Sequence, residues 1–242
     1  MYTFIARIVT AALVAAGIVI AGMAIGQGFE RFRMSDRSIQ VKGLAEKEVD
    51  SDFAIWAVGF RRAGKTFSEV QEALAADRQR VVAFLKSKGF ADAEIEPRPL
   101  IVEDLLSRDY AQTNVPFRFN GKGKVLVKTS RVSAAEASAL ALDPLIQAGV
   151  ELAGDNNMPL SGPTFQLRNL NAHKAALLAE ATRNAREQAT SFAAEAGARL
   201  GPLKRANQGV ISISGDDGRG YDDGSTRMKR LRVVSSFEYE LR

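Results

Sequence analysis

Apolar and polar positions divide the chain into one oily segment near the start and a long stretch of alternating strand-like and helix-like periods. Residues 8–26 carry no charge over nineteen positions. As a helix that run spans about 28 Å at ~1.5 Å per residue, close to the hydrocarbon core of a bilayer. Arg7 precedes it, and Glu30, Arg31 and Arg33 come after it. A segment apolar on all sides has no face to show water, so the pattern predicts a membrane helix within residues 1–30. A secretory signal peptide is the alternative, with Ala24-Ile25-Gly26 as the cleavage site; the run exceeds the usual apolar region of about 7–15 residues, which favours a retained anchor. Arg31, Arg33 and Arg37 outnumber Arg7 plus the amino terminus, so charge bias alone would leave the adjoining domain in the cytoplasm. Gly22 and Gly26 have the spacing of a helix-pairing motif, which small residues in such spans also produce without pairing.

Beyond residue 37 the period changes. Ile39, Val41 and Gly43 alternate as a strand, and residues 53–60 are apolar on both faces, as in a central strand. Thr66-Phe67-Ser68-Glu69 forms a capping box, and Phe67, Val70, Leu74, Val81 and Leu85 continue at helical spacing until Gly89. A strand is predicted over residues 95–106 and another over 122–129, where Val125 and Val127 alternate with lysines. Ser133-Ala134-Ala135-Glu136 reads as a second capping box, starting a helix through Leu140 and Leu145 that stops at Gly149. Residues 164–168 look extended, and Asn169 or Asn171 can cap an alanine-rich helix reaching Gly197, with Leu178, Ala181, Ala185, Ala189 and Phe192 on its apolar stripe. Two last strands, 209–213 and 229–241, flank a loop rich in Asp and Gly. In the second of them Leu231, Val233, Phe237, Tyr239 and Leu241 share one face. Together these predict an α/β fold of α+β character, with mixed or antiparallel sheets, helices packed on one face, and one N-terminal transmembrane helix ahead of a domain at 37–242.

Composition narrows the chemistry. The chain has 242 residues, no cysteine, one histidine and a formal charge of +5. Disulfides, thiolate metal sites and cysteine nucleophiles are thereby excluded, and compartment is left open. Basic residues are spread among acids and do not cluster with aromatics, which argues against a nucleic-acid partner.

Three constellations invite a chemical reading. Residues 59–66, with Gly59, Gly64, Lys65 and Thr66 at the fixed positions, satisfy the phosphate-binding loop pattern between a predicted strand and a predicted helix. Such a loop wraps phosphates in backbone amides and a lysine while the hydroxyl holds magnesium. Leu100-Ile101-Val102-Glu103-Asp104 resembles the partner strand that ends in a metal-binding acid. The plainer reading gives Thr66 to the helix cap, Gly64 to a turn and Gly59 to the strand, and the flanking strands alternate too strongly for a buried parallel sheet. Asp216, Asp217, Asp222 and Asp223, set among glycines, could offer oxygens to calcium, but their spacing fits neither an EF-hand nor a nonapeptide repeat, so a solvated loop is expected. Glu103 and Asp104 point to opposite faces if extended and make a poor acid–base couple. His173 has no second ligand nearby in sequence, and no nucleophile motif supports a triad built on it.

Ile39-Gln40-Val41-Lys42-Gly43-Leu44-Ala45-Glu46, with Asp52-Phe53-Ala54-Ile55-Trp56 after it, resembles the opening of the SIMPL domain family of bacterial envelope proteins. The stretch Ala181-Thr182-Arg183-Asn184-Ala185-Arg186-Glu187-Gln188-Ala189 is similar to that family's long late helix. Gly197-Ala198-Arg199-Leu200-Gly201 and Ala206-Asn207-Gln208-Gly209-Val210 are similar to the segment beyond that helix in the family. The resemblance covers essentially residues 38–242. It implies an α/β fold, export beyond the inner membrane and self-assembly into ring-like oligomers, with no established reaction, cofactor or catalytic residue. The expectation is therefore a non-catalytic protein, single-pass in the inner membrane with its domain in the periplasm, that contacts the lipid bilayer through its N-terminal helix and forms homo-oligomers. Release to the periplasm after signal cleavage is the alternative placement. A membrane-tethered nucleotide-binding protein using Gly59, Gly64, Lys65 and Thr66 is the alternative function, and a binding module for a small envelope ligand is a third possibility without a named pocket.

Overall fold

The computed structural model describes residues 15, 17–26, 37–107, 116–154 and 162–242. The elements run β1 (Ser38–Asp50), β2 (Phe53–Gly64), α1 (Phe67–Ser87), β3 (Ile95–Pro97), β4 (Ile101–Asp104), β5 (Phe119–Thr129), α2 (Val132–Ala139), α3 (Asp143–Gln147), β6 (Thr164–Gln166), α4 (Asn171–Glu195), β7 (Leu200–Asn207), β8 (Ile211–Gly215) and β9 (Met228–Leu241). Residues 17–26 are helical, while 8–14 and 16 of the oily run lie outside the described residues, as do most of the links at 107–116 and 157–163. Among the described residues no helix is long and apolar enough to cross a membrane. The chain forms two compact units interleaved in sequence, one of residues 1–46, 174–212 and 232–242, the other of 47–173 and 213–231.

In the second unit the sheet order is β3-β5-β2-β6, with β4 also on β5, and each of these pairs is antiparallel. Strand alternation decides which side is buried. Ala54, Trp56, Val58 and Phe60 point inward on β2, and Trp56 and Val58 sit opposite Val127 and Val125 of β5. The intervening Ile55 and Gly59 are half-buried and Ala57 is exposed, so the strand expected to be buried on both faces has one main core face. Val70, Leu74, Val81 and Leu85 of α1, Val132 and Ala135 of α2 and Leu145 of α3 join that core. Burial of each large apolar side chain there stabilises the unit by about 1.5–3 kcal/mol.

Several boundaries differ from the sequence expectation, for local reasons. The strand expected over 95–106 is two short strands, because Pro97 and Pro99 cannot donate to a continuous ladder. The helix expected from residue 133 to 149 is split, with Pro144 at the start of α3. Its capping box does not form: α2 begins after Arg131 without a side-chain cap, and the Glu136 carboxylate binds Arg227 at 3.0 Å instead. The Thr66 box does form, with Thr66 Oγ1 accepting from the Glu69 amide at 3.3 Å and Glu69 Oε2 accepting from the Lys65 amide at 3.1 Å. Gly89, Gly149 and Gly197 sit just past the ends of their helices at φ of 86, 76 and 67°, the left-handed conformation that a helix stop uses.

In the first unit the sheet order is β1-β9-β7, with β8 also on β9. Strand β7, which the pattern of lysine, arginine and proline concealed, lies antiparallel to β9 with Ala206 opposite Phe237. Helix α4 buries a single seam, Leu177, Ala181, Ala185, Ala189 and Ala193, spaced four residues apart. Leu178 is only half-buried and Phe192 is exposed, so the stripe is narrower and one residue out of step with the expected one. Its small residues let the helix backbone reach the sheet. A Cβ on Gly43 of β1 would lie 1.9 Å from the Ala181 carbonyl oxygen and 2.9 Å from the Ala185 methyl. Overpacking a well-fitted contact costs roughly 1–3 kcal/mol. Gly43→Ala is therefore expected to lower stability by at least ~2 kcal/mol, whereas Ala179→Leu, on an exposed position of the same helix, shifts it by less than about 0.5 kcal/mol. Denaturant midpoints of the two variants check this directly.

Candidate functional site

Residues 59–66 are the natural starting point because the pattern there has a defined chemistry. Strand β2 runs through them to Gly64, in register with β5 from Gly59 opposite Lys124 to Gly64 opposite Phe119. On the other edge the Arg61 amide donates to Glu151 O at 2.9 Å, and Gly59 O accepts from the Ala153 amide at 2.9 Å. The residues are a ladder strand with antiparallel neighbours, and the curled loop of inward amides that would wrap a phosphate is not formed. Gly59 is required sterically, since a Cβ there would lie 2.1 Å from Ala153 O. The amide of Lys65 is taken by Glu69, and Thr66 caps α1. Asp104, the candidate metal-binding acid at the end of β4, is held by Arg118 at 2.7 Å, and those hydrogen bonds keep its carboxyl below the ordinary range.

What this segment does hold is a buried ion cluster. Asp77, on α1, has no exposed surface. Arg62 reaches it with Nε to Oδ2 at 2.5 Å and Nη2 to Oδ1 at 2.8 Å, and Arg80 adds a bond to Oδ1 at 2.8 Å. Arg62 Nη2 also donates to Gly149 O at 2.5 Å, so one guanidinium ties β2, α1 and the end of α3 together. Hydrogen bonding to Asp77 raises the Arg62 pKa further above its ordinary value, against the opposing effect of burial.

The aspartate-rich loop is also spoken for. Arg219 spans Asp217 at 3.2 Å and Asp223 at 2.8 Å, and Asp223 accepts from the Ser225 amide and hydroxyl. Asp222 binds Lys229 at 2.5 Å and the Gly224 amide at 2.9 Å; Asp216 is exposed. Lys229, on the inward face of β9, is wholly buried. The loop is thus cross-braced by its own cations where a solvated, unstructured one was expected. Among the described residues, no group of three or more His, Cys, Asp or Glu side chains is placed to hold a metal ion. His173 lies in the first turn of α4.

Two further clusters escaped sequence reasoning because their partners are distant in the chain. Glu94 is bracketed by Arg131 Nη2 at 2.6 Å and Thr129 Oγ1 at 2.5 Å. Burial pushes its carboxyl up, but hydrogen bonds from Arg131, Thr129 and the Ala91 amide hold it at about 2. Asp50 and Glu136 share Arg227, whose pKa is raised by both.

Strand edges are the remaining place where the fold could engage a partner, and most are blunted. Asn184 Nδ2 on α4 donates to Leu44 O of β1 at 2.8 Å. Pro97 and Pro99 interrupt β3 and β4, and Asp104 O accepts from Ser107 Oγ at 2.8 Å. Strand β7 carries Pro202 and two register shifts against β9. Apolar side chains are nonetheless left exposed beside the β4–β5 hairpin, at Phe67, Leu106 and Phe117.

These features define a class: an antiparallel α+β protein whose buried charges are engaged in ion pairs that brace its own elements. Its sequence matches the SIMPL family, described as "Protein of unknown function (DUF541)", over residues 39–236, and the chain belongs to that family. No curated protein matches it. Removing one partner of a buried ion pair costs about 3–5 kcal/mol, because the other charge is left without a partner. Asp77→Ala and Arg62→Ala should each fall in that range by urea unfolding, and Arg80→Ala, which removes a half-exposed partner, should cost about 1 kcal/mol or less.

Proposed function

We propose that this chain is a non-catalytic protein of the cell envelope, held in the inner membrane by residues 8–26 with its folded part in the periplasm, and acting through self-association or through contact with another protein. The observation that carries the membrane reading is the helix at 17–26. Ile18, Val19, Ile20, Met23 and Ile25 are each more than half exposed on it. Such a helix leaves apolar surface in water at roughly 25 cal/mol per Å², and a bilayer removes that cost. The absence of any charge across the whole run in the sequence supports the same placement.

The non-catalytic part rests on how the candidate residues are occupied. Gly59 and Gly64 belong to a ladder strand, Lys65 and Thr66 flank a helix cap, and Asp217, Asp222 and Asp223 hold cations of the same loop. Self-association through side chains suits a fold whose strand edges are blunted. One preparation tests both halves. The full chain, expressed with a topology reporter after Leu241, is expected to need detergent for extraction, to keep Met1, to show the reporter outside the cytoplasm, and to run at a multiple of its 26.2 kDa mass after correction for detergent. A freely soluble protein with its first residues intact overturns the anchor, a mature terminus after Gly26 replaces it with signal cleavage, and a monodisperse monomer overturns self-association.

A further inference from the structure

The hairpin of β4 and β5 ends in an apolar tip that the fold does not use. Phe119 opens β5 and meets Phe67, in the first turn of α1, edge to face, with ring centroids 6.1 Å apart. The Leu105 amide donates to Arg118 O at 2.8 Å, which sets Leu106 and Phe117 side by side just beyond the ladder. Phe67, Leu106 and Phe117 are 50, 48 and 45 % exposed, far more than a core role would leave. The tip offers no open ladder to a further strand, because Asp104 O is capped by Ser107 and the Leu106 amide donates to Asp104 Oδ1 at 3.0 Å.

The charge around the tip is layered. Arg118 lies over the Phe119 ring at 5.2 Å and is neutralised by Asp104. Lys65, two residues before Phe67, and Lys122, on β5, form no ion pair among the described residues, whereas the nearby Glu69 carboxylate is spent on the Lys65 amide. Exposed aromatic and aliphatic side chains rimmed by unpaired lysines match the boundary between lipid tails and anionic headgroups. We infer that this tip, Phe67, Leu106 and Phe117 with Lys65 and Lys122, is a second membrane contact that inserts into the headgroup region of an anionic bilayer. The inference rests on the membrane tether proposed above, which keeps the bilayer at high effective concentration and lets a weak contact form.

The absence of cysteine allows single-site labelling of the full chain. Ile20→Cys, Phe117→Cys and Phe192→Cys are each labelled with an environment-sensitive dye and reconstituted into phosphatidylglycerol–phosphatidylethanolamine vesicles. Quenching by brominated lipid tails is then compared with quenching by aqueous iodide. Phe192, at 53 % exposure on α4, serves as the control for an exposed aromatic. Lipid quenching is expected to be strong at 20, several-fold greater at 117 than at 192, and to fall several-fold at 117 alone when Lys65 and Lys122 are both changed to Glu. Lipid quenching at 20 with iodide access at 117 equal to that at 192 overturns the inference and spares the tether. No lipid quenching at either 20 or 117 removes the tether as well. Shielding at 117 from both quenchers assigns the tip to a protein contact and also overturns it.

Discussion

A carboxylate with no exposed surface has to be met by donors, and around Asp77 that requirement organises the second unit. Arg62 supplies a bidentate grip from β2 while Arg80 approaches from the next turn of α1. With Arg62 committed there, β2 stays extended through Gly64, α1 starts at once after the Thr66 cap, and the end of α3 is drawn in through Gly149 O. The same geometry decides the chemistry of residues 59–66. Amides laid along a ladder point in the plane of the sheet, so they cannot converge on one phosphate.

Much of the fold was legible wherever a local rule was strong. Thr66 and Glu69 announced the start of α1, Gly89, Gly149 and Gly197 announced helix stops, and alternation from Leu231 to Tyr239 marked the inward face of β9. Other features needed information that local sequence does not carry. Phe67 satisfied the helical spacing yet stays half-exposed, because its position at the edge of α1 meets only Phe119. Lys229 occupies an inward position that alternation assigned to apolar residues, and only the return of the loop to bring Asp222 within 2.5 Å makes that tolerable. Glu136 looked like a capping residue until Arg227, 91 positions later, competed for it. Helix α4 was placed one residue out of step because alanines fill its surface, and only the close approach at Gly43 identifies which of them face the sheet.

The candidate sites divide in the same way. Gly59, Gly64, Lys65 and Thr66 could be recognised as a pattern, but whether they form a loop depends on β5 and on residues 151–153 lying along both edges of β2. The four aspartates could be counted, but not that Arg219 and Lys229 would return to three of them. With the interior charges engaged in this way, the surface is where this member of the SIMPL family has room to act. The proposed envelope role places that activity in contacts made by apolar side chains, at the N-terminal helix and at the hairpin tip.

Amide hydrogen exchange over residues 59–64 tests the central claim most directly, since ladder amides in a core strand exchange only through large-scale opening and loop amides do not. The account predicts that Arg61, Arg62 and Ala63 are protected to nearly the level of Val125 and Val127 on β5, with no change on adding Mg-ATP. Rapid exchange in the free protein that slows when Mg-ATP is added would contradict it.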